Sequence, residues 1–326
     1  MSGLVAVRPV CLITGATGAI GPSVVAAMHR THEVRTLSRS LPADGTFRQA
    51  VTAYTGDVTD DKILRGAANG VDVIVHLAAL LHVVNPEPGM RAEYERVNVG
   101  GTAAVIRAAL SEGVRRVVLL STIAVYGRAG EVLNEESTPS PETFYGQTKL
   151  AAEQIVLHAQ RADGAPLSVV LRSAAVYGPR VKGNYRALVE AIRRRRFLRI
   201  GPGDNRRTLV FEADLTTAIA LAATHPAAAG RIYNVTDGHF HPMRDILNAI
   251  ASAMGRRPPA WHAPIVPVVM MAKLAGVVAP AIPKAVEKYL EEVCVEGRRM
   301  QEELGFSPQF DLDRGWAATI EQMRSV

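Results

Sequence analysis

Val10-Cys-Leu-Ile-Thr-Gly-Ala-Thr-Gly-Ala-Ile-Gly21 is an apolar run of strand character that ends in three glycines spaced three apart, and Pro22-Ser-Val-Val-Ala-Ala-Met28 continues it as a helix. A strand that turns sharply into a helix leaves backbone N–H groups aimed at one point. Glycines there remove the Cβ atoms that would hold a pyrophosphate away from those groups. The turn therefore reads as a dinucleotide-docking loop. An ordinary glycine-rich turn is the plain alternative, and the repeating strand–helix pattern that follows argues against it.

Strand-like runs at 33–38, 50–55, 71–77, 116–121 and 167–172 alternate with helical segments at 22–30, 62–68, 94–112 and 145–160. The alternation predicts an α/β fold, a doubly wound, Rossmann-like parallel sheet covered on both faces. Runs such as Val117-Val-Leu-Leu120 are apolar throughout, as strands buried on both sides must be. Ligands of such folds sit beyond the carboxyl ends of the strands. After residue 178 the pattern loosens: 179–214 reads as a loop, a basic helix and an exposed turn, 214–224 as an alanine-rich helix and 232–235 as a strand. The expected division is a dinucleotide-binding domain over 1–178, with 213–236 returning to it. Residues 179–212 and 237–326 would form a smaller, discontinuous C-terminal substrate lobe.

The 326 residues, 48% hydrophobic and 21% charged, suit one large globular α/β domain with an appended lobe. Cys11 and Cys294 give no disulfide framework and fit a reducing cytoplasm. No charged segment followed by an apolar run marks a secretory signal. The net charge of +6 draws on Arg193-Arg-Arg-Arg196, a solvated helix end or a seat for an anionic substrate or membrane surface. Without an aromatic-interleaved basic platform, nucleic acid is not an expected partner. The apolar stretch 264–282 is interrupted by Lys273 and prolines, so it predicts a surface or substrate-covering helix and no stable membrane insertion. His239, His241 and His262 lack partners at ligand spacing, and no metal site is expected.

Tyr145-Gly-Gln-Thr-Lys149 is the second strong signal. Positions four apart share a helix face, and an ammonium beside a phenol stabilises the phenolate, which makes tyrosine a usable acid/base. Leu119-Leu-Ser-Thr122 followed by Val125-Tyr-Gly127 would deliver a hydroxyl to the same cleft from a strand end. An amphipathic helix with an incidental Tyr and Lys is the alternative for that pair alone.

Taken together, these stretches resemble the extended short-chain dehydrogenase/reductase family, which includes nucleotide-sugar epimerases, dehydratases and ketoreductases. The further marks are Gly56-Asp-Val58, His76-Leu-Ala-Ala79, Val97-Asn-Val99, Leu171-Arg172, Val176-Tyr-Gly-Pro179 and Tyr233-Asn-Val235, so the resemblance spans essentially the whole chain. It implies that Tyr145 exchanges a proton with the reacting hydroxyl. Lys149 would hold the nicotinamide ribose and depress the Tyr145 pKa. Thr122 would hydrogen-bond the reacting oxygen, with Ser121 as the fallback and a strand-end cap as its plain role. Gly15, Thr17, Gly18, Ala19, Ile20 and Gly21 would cradle the pyrophosphate. Asp57 and Val58 would lie against the adenine, and Leu77, Ala78, Ala79 and Val176 would line the cofactor path. Asn98 is a cofactor contact or a helix-kink residue.

Relatives that prefer NAD usually carry an acidic residue at the end of the second strand, where this chain has Ser38 and Arg39. A guanidinium there can pair with a 2′-phosphate, which favours NADP over NAD. By position, Asn184 and Arg207 match residues that contact a nucleotide diphosphate, and His82 is a substrate contact or a packed loop histidine. Ala175 departs from the asparagine of many sugar epimerases, which moves the chain toward reductases and hydroxysteroid-dehydrogenase-like relatives. The resemblance implies an NAD(P)-dependent nucleotide-sugar epimerase, working at C4 by oxidation–reduction through a keto intermediate. The alternatives are an NADP-dependent 4-ketosugar reductase and a 3-beta-hydroxysteroid-dehydrogenase-like oxidoreductase on an apolar alcohol. The presence of Thr122, Tyr145 and Lys149 argues against a non-catalytic NAD(P)-binding protein. A homodimer built on the helices at 94–112 and 145–160 is also implied.

Overall fold

Alternate side chains of the apolar runs point to opposite faces, and each face meets its own layer of helices. A computed structural model describes residues 8–324 except 42, 44, 82–88, 129, 181, 182, 196, 259, 260, 277, 278 and 280. The elements in chain order are β1 (Val10–Thr14), α1 (Gly21–Met28), β2 (Glu33–Ser38), β3 (Thr52–Thr55), α2 (Asp61–Ala68) and β4 (Val73–His76). They continue with α3 (Met90–Tyr94), α4 (Gly101–Ser111), β5 (Arg116–Thr122), α5 (Phe144–Leu157) and β6 (Ser168–Ser173). Together with β10 (Ile232–Val235), these strands form a parallel seven-stranded sheet in the order β10-β6-β5-β4-β1-β2-β3. The doubly wound, Rossmann-like α/β fold is thus realised.

Cys11, Ile13, Val75, Val118 and Val169 pack on one face with α1 and with Leu215, Ile219 and Ala222 of α7 (Glu212–Thr224). Leu12, Ile74, Val117, Leu119 and Val170 pack on the other with residues of α2, α4 and α5. A third core holds Tyr177, Leu209, Phe211, Ile246, Ile250 and Trp316. It unites β7 (Ala175–Tyr177), α6 (Asn184–Arg193), β9 (Arg206–Phe211), β11 (Phe240–Pro242), α8 (Met243–Ala253) and α12 (Leu312–Arg324), with β9 between β7 and β11. β8 (Arg199–Ile200), β12 (His262–Ala263), α9 (Ile265–Ala275) and α10 (Ala281–Leu290) complete the elements outside the main sheet, whereas α11 (Arg298–Leu304) packs through Met300 and Leu304 into the first core beside β10.

Two elements differ from their sequence reading. The helix expected over 94–112 begins at Met90 and is π-wound through Glu95–Gly100. The wider turn carries Asn98, whose amide is committed to Leu80 and Thr148, so tertiary bonding rather than propensity sets the winding. β9 falls in a segment expected to be loop and exposed turn. Its Arg207 and Thr208 are buried against partners near residue 290, long-range contacts that local pattern does not show.

Candidate active site

The glycine turn joins β1 to α1. Gly15 has φ +73°, and a Cβ on it would lie 2.7 Å from the Ala78 backbone nitrogen. A Cβ on Gly21 would lie 2.0 Å from the Ala16 carbonyl oxygen. The outer glycines therefore seat the turn against its own strand and against Leu77–Ala78, past the end of β4, while Thr17 and Gly18 face outward. Ala19 and Ile20 are half-buried and lead into α1. At the end of β2 the Ser38 hydroxyl is buried without a hydrogen-bond partner among the described residues, and Arg39 beside it is exposed. An orphaned hydroxyl beside an open glycine turn fits a ligand that brings its own polar atoms.

Asp57 accepts from the backbone and side chain of Thr59 and from Arg96. Burial works against its carboxylate, but these bonds hold it below the usual carboxyl range. Val58 is buried and presses on Gly101, where a Cβ would lie 2.7 Å from Val58 Cγ1. Leu77, Ala78 and Ala79 follow β4 and are half-buried. Asn98 Oδ1 accepts from Leu80 N at 2.7 Å and its Nδ2 donates to Thr148 Oγ1 at 3.0 Å, so it pins the segment after β4 to α5. Val176 pairs with Val210 in the β7–β9 ladder.

α5 starts where the Thr143 hydroxyl accepts from Gly146 N. Gly146 lets the helix approach the chain that leaves β5: a Cβ there would lie 2.7 Å from the Ala124 carbonyl oxygen. This approach sets Tyr145 by Thr122, whose hydroxyl acts on the phenol. Burial pushes the Tyr145 phenol up to about 12, and Thr122 pulls against that rise. One turn on, Lys149 is 2% exposed. Burial drives its ammonium down to about 8, opposed by the Glu153 carboxylate. The charge of Lys149 acts on His76, whose ring burial, and then that charge, lower to about 3. The neutral imidazole sits between the hydroxyls of Thr14 at 2.7 Å and Thr102 at 3.1 Å. Lys149 is not among the groups that shift Tyr145, so here the phenol is tuned by burial, Thr122 and Tyr94.

Glu153, Tyr94 and Arg96 were not singled out by sequence. Glu153 lies four residues after Lys149, on the same helix face, and is 1% exposed. It accepts Ser121 Oγ at 2.5 Å and both Nε and Nη2 of Arg172. Arg172 lies over the Tyr126 ring at 4.8 Å, and Tyr126 donates to Asn234 Oδ1 at 2.9 Å. Ser121 is thus taken up in a buried network, which leaves Thr122 beside Tyr145. Tyr94 donates to the Leu81 carbonyl at 2.7 Å and raises the Tyr145 phenol electrostatically.

In the lobe, Arg207 is 7% exposed and bonds Glu291 Oε2 at 2.9 Å and the Lys288 carbonyl, while its Nε has no partner among the described residues. Its charge also acts on Tyr185, next to Asn184 at the start of α6. His82 lies outside the described residues. No group of His, Cys, Asp or Glu among the described residues is placed to hold a metal ion. No helix among them is long and apolar enough to cross a membrane.

The family model "NAD dependent epimerase/dehydratase family" matches residues 11–236. UDP-glucose 4-epimerase of Vibrio cholerae is 28% identical over 321 residues, 95% of this chain and 94% of the relative. The 3 beta-hydroxysteroid dehydrogenase/Delta 5→4-isomerase of Mycobacterium tuberculosis is 27% identical over 346 residues, 96% of this chain and 92% of its own. The structure of MoeE5 in complex with UDP-glucuronic acid and NAD superposes with a TM-score of 0.78 at 28% identity, over 97% of this chain and 99% of that one. The chain belongs to the NAD-dependent epimerase/dehydratase family and is an enzyme of the extended short-chain dehydrogenase/reductase type.

Proposed function

We propose that the protein is an NAD(P)-dependent nucleotide-sugar epimerase that inverts C4 through a keto intermediate. The observation that carries the chemistry is the close approach of α5 to the chain leaving β5 at Gly146, which sets Tyr145 by Thr122, with buried Lys149 one turn further along the same helix. Tyr145 takes the proton from the sugar hydroxyl and returns it. Thr122 holds the reacting oxygen. Lys149, charged below about pH 8, would hold a ribose hydroxyl of the dinucleotide. When bound, the nicotinamide supplies the hydride acceptor and donor. The glycine turn and the orphaned Ser38 hydroxyl fit such a dinucleotide. Arg39, with no acidic partner within 4.0 Å among the described residues, favours its 2′-phosphorylated form.

The sugar is supported by the near full-length match to the Vibrio cholerae epimerase and by MoeE5 with UDP-glucuronic acid. Residues 179–212 and 237–326 form the substrate lobe in this reading, with Arg207 facing the diphosphate, while the Asn184 side chain, the other expected contact, lies outside the described residues. Arg207 reaches it by exchanging Glu291, its present partner. Two copies pair through the helices at 94–112 and 145–160; α4 and α5 pack on the same sheet face, and Leu110 is 45% exposed. UDP-glucose and UDP-N-acetylglucosamine deuterated at C4 test the reading. Conversion to the C4 epimer with the label retained and no net oxidation of added NADPH supports it. Stoichiometric NADPH consumption by a 4-keto sugar contradicts it, as does turnover of a steroid alcohol that UDP does not inhibit.

A further inference from the structure

α9, Ile265-Val-Pro-Val-Val-Met-Met-Ala-Lys-Leu-Ala275, has one charged residue, yet only Ala272 is buried. A helix apolar on all sides normally lies inside a core. Here Val266 is 69%, Met270 62%, Met271 67% and Leu274 73% exposed. The apolar surface continues past the helix. β12 pairs in parallel with β8, His262 opposite Arg199. One residue back along that register, Trp261 (73% exposed) comes beside Leu198 (49% exposed). On the other side α10 packs against α9, with Pro283 at Gly276 and with Ile282 exposed.

The acidic groups around this surface are paired, Glu190 on α6 and Glu287 on α10 among them, and the charges left over are cations. Arg193 and Arg194 are paired with Glu190. Exposed Arg195, Arg257, Lys273 and Lys284 have no acidic partner within 4.0 Å among the described residues. Arg195 and Arg257 line a cavity of about 490 Å³ with Arg256, Phe197 and Ile192, next to the start of β8. Exposed tryptophan, methionine and leucine bordered by unneutralised cations are the complement of an anionic bilayer surface: acyl chains take the apolar groups and headgroup phosphates the cations. A second copy of this chain would bring the same cations against each other.

We propose that α9, with Trp261 and Leu198, docks the lobe peripherally onto an anionic phospholipid membrane, without spanning it. The proposal is independent of the chemistry at Tyr145. It is tested by sedimenting the full-length protein with vesicles of phosphatidylcholine and phosphatidylglycerol in equal parts, and with phosphatidylcholine alone. Only the anionic vesicles are expected to carry the protein down, and added salt should release it. Trp261 emission should shift to the blue while the signal of Trp316, 1% exposed, stays constant. The triple variant Met270→Ser/Met271→Ser/Leu274→Ser changes exposed positions, so it should keep its melting temperature while vesicle binding falls about tenfold or more. Failure to bind the anionic vesicles, equal binding to both kinds, or unchanged binding of the triple variant overturns the proposal. So does a wild-type dimer in sedimentation velocity that the triple variant converts to monomer, because a second copy would then cover the helix.

Discussion

The Ser121 hydroxyl donates to Glu153 at 2.5 Å, and that bond fastens the strand end carrying Thr122 to the helix carrying Tyr145 and Lys149. Arg172 closes the same carboxylate from β6 and stacks on Tyr126, which reaches Asn234 on β10. One buried network thus holds three strands and α5 in register beneath the candidate site. Its charges sit in a low-dielectric setting, where a carboxylate acts on a neighbouring ammonium far more strongly than in water.

Replacing Glu153 by Gln should act on both stability and titration. Arg172 would be left as an uncompensated buried charge, a loss of about 3–5 kcal/mol seen as a lower melting temperature. Burial lowers the Lys149 pKa and Glu153 raises it, so removing the carboxylate lowers it further. Activity that needs the ammonium disappears as pH rises through that pKa. The alkaline limb of kcat, near pH 8 in the wild type, should therefore move to lower pH in E153Q. An unmoved limb would show that Glu153 only holds the fold.

Thr122 and Ser121 should separate cleanly. Thr122→Ala removes the hydroxyl beside Tyr145 and should lower kcat by about 10²-fold with little change in melting temperature. Thr122→Ser should restore most of the rate. Ser121→Ala breaks the bond to Glu153, so it should lower the melting temperature and leave kcat within a few-fold. Steady-state kinetics beside thermal melts distinguish the two.

His76 should remain neutral across the physiological range, because burial and Lys149 lower its pKa from 6.5 to about 3. The unfolded chain takes up a proton there below about pH 6.5, before the native state does. This histidine therefore removes stability progressively as pH falls from about 6.5 toward about 3. Ring-carbon NMR should show no His76 titration between about pH 5 and 8, where an ordinary histidine titrates.

Arg39→Ala should weaken NADP binding by about tenfold or more and leave NAD binding unchanged, since only the 2′-phosphate needs the guanidinium. Calorimetric titration with the two dinucleotides reads this directly. Equal losses for both would remove Arg39 from the selectivity argument.

The strand–helix alternation and the glycine turn were legible because both are local: period, length and missing Cβ atoms are written in consecutive residues. Tyr145 and Lys149 were legible through helix spacing. Glu153 carried the same signal, a charge four residues beyond Lys149 on a helix otherwise apolar there, but its meaning depends on Arg172, which only the β5–β6 pairing brings near. Arg172, Tyr126 and Asn234 stood inside motifs quoted for the family and prove to be a structural network. Arg207 read as a diphosphate contact, and its pairing with Glu291 was not legible because that carboxylate lies eighty-four residues away in the chain. Asn98 read as a cofactor contact or a helix-kink residue, and the π winding around it comes from its amide bonds to Leu80 and Thr148, which local pattern does not show.

Tyr145→Phe tests the account most directly, with dinucleotide binding and turnover of the nucleotide sugar measured on the same preparation. The phenol is the group assigned to move the proton, so turnover should fall by at least about 10²-fold while NAD(P) affinity and melting temperature stay close to wild type. Turnover retained by Tyr145→Phe would contradict the assignment.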